Sequence, residues 1–220
     1  MRYYIPIAMQ ELISPFQKDA LVEVVNIGAS KAATMLSQLI DGNRVVIQPP
    51  DVIVDVGEKI PAFIGDEKNV HTAVLLALSG SAPGVLLFTF PPTSAIQMAA
   101  LLSAGDRKES PILDESDRTI LRNMGNTLAD ATIDSLSNFL TLQITKSSAD
   151  IATDMLGSIL DAIVVDMSAR SFVVLAFRVR FTVEVSGAEP VSGQMCFMFE
   201  PKATDTILTS LRNKFPNSSV

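Results

Sequence analysis

Residues 19–40, "DALVEVVNIGASKAATMLSQLI", have the apolar spacing of a long amphipathic helix. Because a helix advances by about 100° per residue, Asp19, Glu23 and Asn26 lie in one polar stripe. Gly28 lies in the middle of the opposite, apolar arc, where a close approach to the sheet or to a second helix would explain it. The stretch therefore predicts a helix that buries one side and presents its polar stripe to solvent or to a partner.

Start signals for two long helices occur about 100 residues apart. Ser14, Pro15 and Gln17 match an N-cap, a proline at the first helical position and a capping-box glutamine, which predicts a first helix over about 15–40. Asp114 in "DESDRTIL" is a similar cap with acidic residues in the first turn, so a second helix should begin just after it.

Two segments of the first half of the chain reappear in the second half. Residues 119–140 align with residues 19–40 at an offset of 100, and residues 193–211 align with residues 84–102 at an offset of 109. Any two amphipathic helices share leucines, so either match alone is weak. Both matches together, in the same order, favour two tandem halves.

The two halves are predicted to cover about 12–102 and about 112–214 of a single domain spanning 1–220. Strands rich in β-branched and aromatic residues follow each long helix. In the first half they are predicted at 44–48, 72–80 and 84–90, and in the second at 142–147, 162–168, 171–185 and 193–199. The predicted class is α/β (α+β), a pseudo-two-fold duplicated fold in which two long helices pack on a β-sheet.

Composition excludes several classes of function. The 220 residues carry a net charge of −7, which argues against a nucleic-acid partner. One histidine, His71, and one cysteine, Cys196, exclude a cysteine/histidine zinc site and leave His71 as the only base for a serine triad. We expect no metal site, with His71 exposed and Cys196 in the core, and we interpret the acids of "PPDVIVDVGEK", 49–59, as a solvated loop.

The most apolar later stretch is broken by "SGSAPG", 79–84, which predicts a hairpin turn and no membrane insertion. The first 16 residues contain no apolar signal-peptide core with a cleavage site. These observations predict a cytoplasmic location.

The polar stripe also matches a known motif. Asp19, Glu23 and Asn26, followed after 22 residues by Pro49, fit the pattern (D/S)-x3-E-x2-N-x22-P. With the "NIGASKAATMLSQLI" context, the chain resembles the CheC/CheX/FliY family of response-regulator phosphatases, and CheC most of all. The resemblance implies the duplicated CheC-like fold and an activity that dephosphorylates the phosphoaspartate of a CheY-like regulator in chemotaxis.

The second half departs from this pattern. In register with the first half it offers Thr119, Asn123 and Asn126, so the acid is replaced by an amide. At the proline position it has Ala149. We therefore interpret the second site as degenerate and predict a single intact site on the first helix.

The resemblance assigns a role to each residue of the intact site. Asn26 would orient the attacking water, as a glutamine does in GTPases, and Glu23 would contact the active-site lysine of the regulator. Asp19 and Pro49 would have supporting roles, one extending the polar contact face and the other ending the strand and shaping the adjacent loop. The protein would need no cofactor of its own, because the regulator supplies the Mg²⁺.

By the same resemblance, the partners are a phosphorylated CheY-like response regulator and CheD, the chemoreceptor glutamine deamidase. One alternative stays open. The protein would then be a non-catalytic binding module that docks phosphorylated CheY or CheD through the helix face without accelerating hydrolysis. Turnover by substoichiometric protein distinguishes the two functions.

Overall fold

A computed structural model of the protein describes residues 14–103, 110–167 and 172–215. The α-helices of these residues are α1 (Pro15–Leu39), α2 (Ile60–Ile64), α3 (Pro92–Leu102), α4 (Glu115–Leu140), α5 (Leu156–Asp166) and α6 (Pro201–Lys214). The strands are β1 (Arg44–Ile47), β2 (Asp51–Val56), β3 (Val70–Gly80), β4 (Gly84–Phe90), β5 (Ile144–Lys146), β6 (Asp150–Met155), β7 (Val173–Glu184) and β8 (Val191–Phe199).

Both long helices begin with the predicted capping geometry. In α1 the Gln17 backbone N–H donates to Ser14 Oγ at 3.2 Å, and the Ser14 N–H donates to Gln17 Oε1 at 3.0 Å. In α4 Asp114 and Asp117 exchange the equivalent bonds at 2.9 and 3.0 Å. These reciprocal bonds satisfy backbone donors that the first helical turn leaves without partners.

The strands form one antiparallel sheet with the order β1-β7-β8-β4-β3-β5, in which β2 also pairs with β7 and β6 also pairs with β3. Most pairings join strands that are distant in sequence. The first-half strands β1 and β2 add to β7, and the second-half strands β5 and β6 add to β3. The central pair, β4 and β8, connects the two halves through a continuous ladder from Gly84↔Phe199 to Thr89↔Gln194.

The two faces of the sheet carry different helices. The larger core lies under α1 and α4, with Phe88, Phe90 and Phe177 among its buried side chains. The smaller core lies under α2 and α5 on the opposite face. The predicted arrangement of two long helices on a sheet is therefore confirmed.

The apolar arcs of α1 and α4 also meet each other. A Cβ atom added at Gly28 would lie 3.1 Å from Thr132 Cγ2 and 3.4 Å from the Thr132 carbonyl oxygen. This confirms the expectation that a second helix approaches closely at Gly28. A second glycine, Gly125, lets α4 approach the sheet, because an added Cβ would lie 2.5 Å from Val74 Cγ1.

Two predictions of secondary structure from the sequence are wrong. The strand predicted at 162–168 is the end of α5, with residue 168 outside the described residues. The apolar residues of α5 recur at helical spacing once its first turn is included, since Leu156, Ile159, Leu160, Ile163 and Val164 are all buried.

The second wrong prediction is the solvated loop at 49–59, most of which is strand β2 followed by a short 3₁₀ helix, Gly57–Lys59. Two of its acids form ion pairs, Asp51 with the neighbouring strand β7 and Asp55 with Lys59 of the 3₁₀ helix. Asp51 Oδ2 accepts from Arg178 Nε at 3.1 Å, and Asp55 Oδ2 lies 3.0 Å from Lys59 Nζ. The apolar residues between the acids face both cores, which removes the alternation expected of a one-sided strand.

His71 is buried, with 2% of its surface exposed, so the prediction of an exposed histidine is also wrong. It faces the smaller core near the start of β3, and burial lowers its pKa below the ordinary 6.5, although the Asp66 carboxylate at 3.7 Å acts in the opposite direction. Cys196 is buried as predicted, and burial raises the pKa of its thiol to about 12.

Among the described residues, no helix is both long and apolar enough to span a membrane. Within the same ranges, no group of three or more His, Cys, Asp or Glu side chains is arranged to hold a metal ion. The division into repeats of about 12–102 and 112–214 stays a prediction. Residues 12 and 13 of the first predicted repeat, and residues 104–109 between the two repeats, lie outside the described residues.

We expect Gly125→Ala to destabilise the protein by about 1–2 kcal/mol, because the added methyl overlaps Val74 and outweighs the gain in helix propensity. Urea unfolding measures the change in the free energy of unfolding. In the double variant Gly125→Ala/Val74→Ala the two effects should not add, because removing the valine methyl groups makes room for the new one. Simple additivity would contradict the overlap.

We expect protonation of His71 to lower the free energy of unfolding as the pH falls from 7.5 to 5.5. Its pKa is lower in the folded protein than in the unfolded chain, so below pH 6.5 the unfolded chain takes up the proton first and is favoured. Urea unfolding at both pH values measures the loss. His71→Gln should show a correspondingly smaller pH dependence, and an unchanged one would contradict the assignment.

Candidate functional site

The predicted site residues of the first half lie together on α1. Asp19 and Glu23 are exposed, and Asn26 is partly buried, one turn after Glu23. Side chains three residues apart on a helix are neighbours, about 5–6 Å between Cβ atoms. Ile27, which is 44% exposed, adjoins them, so this part of α1 presents an acid, an amide and an apolar side chain to the outside.

The side chains of Glu23 and Asn26 have no bonding partner in the part of the chain that the structure describes. Within residues 14–103, 110–167 and 172–215, no hydrogen bond or ion pair involves either side chain. The buried arc of α1, which includes Leu21, Val24 and Val25, anchors the helix from the other side. The helix therefore carries two polar groups, one exposed and one partly exposed, that have no partner among the described residues.

The corresponding asparagine in the second half is bound to its own chain. Asn126 Oδ1 accepts a hydrogen bond from the Ala149 backbone N–H at 3.1 Å and lies 3.4 Å from Lys146 Nζ. Lys146 also lies 3.3 Å from Asp130, one turn further along α4. The amide oxygen of Asn126 is therefore occupied, whereas that of Asn26 is not.

The other two positions of the second site offer no carboxylate. Thr119 is exposed, and its hydroxyl donates to the Glu115 carbonyl oxygen at 2.9 Å. Asn123 is exposed on the same helix, in the position that Glu23 has on α1. The second half thus differs from the first both in charge and in the state of its asparagine.

The connections after the two long helices differ in length by one residue. After α1, the Gln48 N–H donates to the Arg180 carbonyl oxygen, and after α4 the equivalent bond runs from Ser147 to Ala77, an offset of 99. The Asp55 and Asp154 side chains, which accept from the N–H of the next residue, have the same offset.

The offset of 100 that holds for the helices therefore does not hold for these strands. The position of Pro49 corresponds to Ser148, and both are exposed; the position of Ala149 corresponds to Pro50, and both are buried. The expected alignment of Pro49 with Ala149 is therefore wrong by one residue, because the structure aligns Ala149 with Pro50. The helix pattern could not reveal this shift, but the repeated aspartates at 55 and 154 are a signal that could have done so.

We expect Asn126→Ala to lower the free energy of unfolding by about 1–2 kcal/mol, because it leaves the buried Ala149 N–H without its acceptor. Asn26→Ala removes no intramolecular bond and should change stability by less than about 0.5 kcal/mol. Urea unfolding of the two variants provides the matched comparison. Equal losses would contradict the difference between the two asparagines.

Comparison with solved structures shows which class of fold this is. The chain is similar to Thermotoga maritima FliY, with a TM-score of 0.70 and 18% identity over 92% of this chain and 98% of that one. It is also similar to a chain in the FliG–FliM complex from H. pylori, with a TM-score of 0.61 and 12% identity over 90% and 100% of the two chains. The α/β fold with two long helices on one face of an antiparallel sheet is thus the fold that these two structures share with this chain.

Sequence comparison finds similarity to one family model and to a relative of known activity. Residues 16–54, which include α1 and its polar stripe, match the model of the CheC-like family. The chain is 26% identical to the CheY-P phosphatase CheC of Bacillus subtilis (strain 168) over 154 residues, 69% of this chain and 73% of that protein. Both matches support the resemblance to the CheC/CheX/FliY family that the polar stripe indicates.

Proposed function

We propose that the protein is a phosphatase that dephosphorylates the phosphoaspartate of a CheY-like response regulator in chemotaxis signalling. The observation that carries the proposal is the pair Glu23 and Asn26, unpaired and side by side on the outer face of α1. The name of the B. subtilis relative, a CheY-P phosphatase, supports the same function.

The reaction requires few catalytic groups from the phosphatase itself. In the reaction, a water oxygen attacks phosphorus and the bond from phosphorus to the aspartate oxygen breaks. The products are a free carboxylate and inorganic phosphate, which takes up the water oxygen with both of its hydrogens and can release one of them to solvent as a proton. The regulator supplies the Mg²⁺ that neutralises phosphoryl charge, so what remains is to hold water in line with the breaking bond. The free amide of Asn26 can accept from and donate to that water without acting as a base.

Glu23 serves to position α1 on the partner. A carboxylate with no partner in its own chain can form a charge-assisted contact with the active-site lysine of the regulator. Such a contact would fix the register of the helix and place Asn26 over the phosphoaspartate. Asp19 extends the polar contact face by one turn, the exposed Ile27 adds apolar contact area beside it, and Pro49 shapes the adjoining connection.

A non-catalytic docking module is the second candidate. It is favoured by the second half, in which Asn123 replaces the acid and the oxygen of Asn126 is occupied by Ala149 and Lys146. A chain that retains only contact residues would bind phosphorylated regulator, or CheD, without turnover. A cytoplasmic location and binding of CheD are proposed with the phosphatase function and share its basis in the family.

We expect Asn26→Ala to abolish the stimulated release of phosphate and Glu23→Ala to weaken it severely, at least tenfold, because one removes the water ligand and the other the docking charge. Phosphate release from a phosphorylated CheY-type regulator with catalytic amounts of this protein measures both. If Glu23 positions the helix and Asn26 orients the water, Glu23→Ala should act mainly on KM and Asn26→Ala mainly on kcat.

Asn123→Ala and Asn126→Ala are the controls on the second helix, measured well below their unfolding midpoints. Each should retain most of the wild-type activity. Comparable losses from both helices would contradict a single site. Regulator binding without multiple turnovers by the wild type would instead identify the docking module.

A further inference from the structure

The two asparagines have the same place on α1 and α4 but different surroundings. Asn126 Oδ1 receives two donors from its own chain, the backbone N–H of Ala149 at 3.1 Å and Nζ of Lys146 at 3.4 Å. Ala149 is buried, so water does not readily replace the acceptor of its N–H. The amide oxygen of Asn126 is thereby committed to the connection between β5 and β6.

The first half lacks both donors at the corresponding positions. With the offset of 99 established by the strand hydrogen bonds, Ala149 corresponds to Pro50 and Lys146 corresponds to Ile47. Proline has no backbone N–H, and isoleucine has no side-chain donor. Pro50 is buried like Ala149, so the connection follows the same course past the helix while offering nothing to the asparagine.

We propose that Pro50 is a positioning residue that acts through Asn26 by withholding a backbone N–H. This inference rests on the proposed function and deepens it. An amide oxygen that no described residue of its own chain occupies can accept a hydrogen bond from the attacking water. An N–H at residue 50 would compete with that water and turn the side chain toward the strand connection. The proline that matters for Asn26 is therefore Pro50, whereas Pro49 is the residue that completes the family pattern.

The same geometry explains the second half without reference to its missing acid. The Ala149 N–H and Lys146 both donate to the amide oxygen of Asn126. Pro50 and Ile47 offer no such donor to the amide oxygen of Asn26. Restoring a glutamate at residue 123 alone would leave this oxygen occupied. The second site is thus inactivated by its backbone as well as by its side chains.

Amide hydrogen exchange measured by NMR tests the capture directly and needs no enzyme assay. In Pro50→Ala, the new N–H at residue 50 should donate to Asn26 and exchange slowly. In Pro50→Ala/Asn26→Ala its exchange should be about fivefold faster or more, the factor that one net hydrogen bond provides. In Pro49→Ala, the new N–H corresponds to that of Ser148, and Asn26→Ala should leave its exchange unchanged. Equal exchange at residue 50 with and without Asn26 overturns the inference.

Phosphate release tests the consequence for catalysis. Pro50→Ala should lower kcat by about fivefold with KM unchanged, because the new N–H competes for the oxygen of Asn26. The sharpest control places lactic acid, the α-hydroxy analogue of alanine, at residue 50. It has the same methyl group as alanine and an ester oxygen in place of the N–H, so kcat should return toward the wild-type value.

The outcomes of the two experiments separate the inference from the proposed function. An ester variant as slow as Pro50→Ala would trace the loss to the missing proline ring and overturn the role of the N–H. Wild-type protein that does not accelerate phosphate release overturns the phosphatase function and the catalytic role of Pro50 with it. In that case hydrogen exchange at residue 50 still decides whether its N–H captures Asn26.

Discussion

The packing of α1 and α4 against each other and against one face of the sheet is the constraint on which the rest of the structure depends. Both helices place small residues at the contacts, where an added methyl at Gly28 would crowd Thr132 and one at Gly125 would overlap Val74. With their apolar arcs buried in this way, neither helix is free to rotate about its axis. The polar stripe of α1 is therefore held outward by the core, and its orientation needs no contribution from the site residues themselves.

The burial of the apolar arc explains how Glu23 and Asn26 can lack partners among the described residues of the folded protein. The buried residues on the opposite side of α1 hold the helix in place, so the outer side chains do not have to contribute intramolecular bonds. In the second half the equivalent asparagine does contribute, through the N–H of Ala149. The same helix position thus supports the fold in one half and is available for a partner in the other.

The sequence predicted the elements with strong local signals. The caps at Ser14 and Asp114, the long helices and the hairpin between β3 and β4 follow from capping chemistry, periodicity and turn residues. Short apolar segments were less informative, since β2 packs against both cores and the helical spacing of α5 is visible only over the whole helix. The environment of His71 depends on tertiary packing that a local pattern does not contain.

For the site, helix periodicity and the family pattern brought Asp19, Glu23 and Asn26 together. The hydrogen bond between Asn126 and Ala149 depends on the length of a connection, which no helix pattern reports.

The sheet also makes each half depend on the other for strand pairing. The strands β1 and β2 find their partner in β7, and β5 and β6 find theirs in β3. Either half alone would therefore expose unpaired strand edges, together with one side of a long helix that the other half now covers. Cutting the chain between α3 and α4 would divide the polypeptide without dividing the fold, and the fragments would be stable only as an interlocked pair. A single half could exist as a folded protein only by exchanging these strands with a second copy of itself.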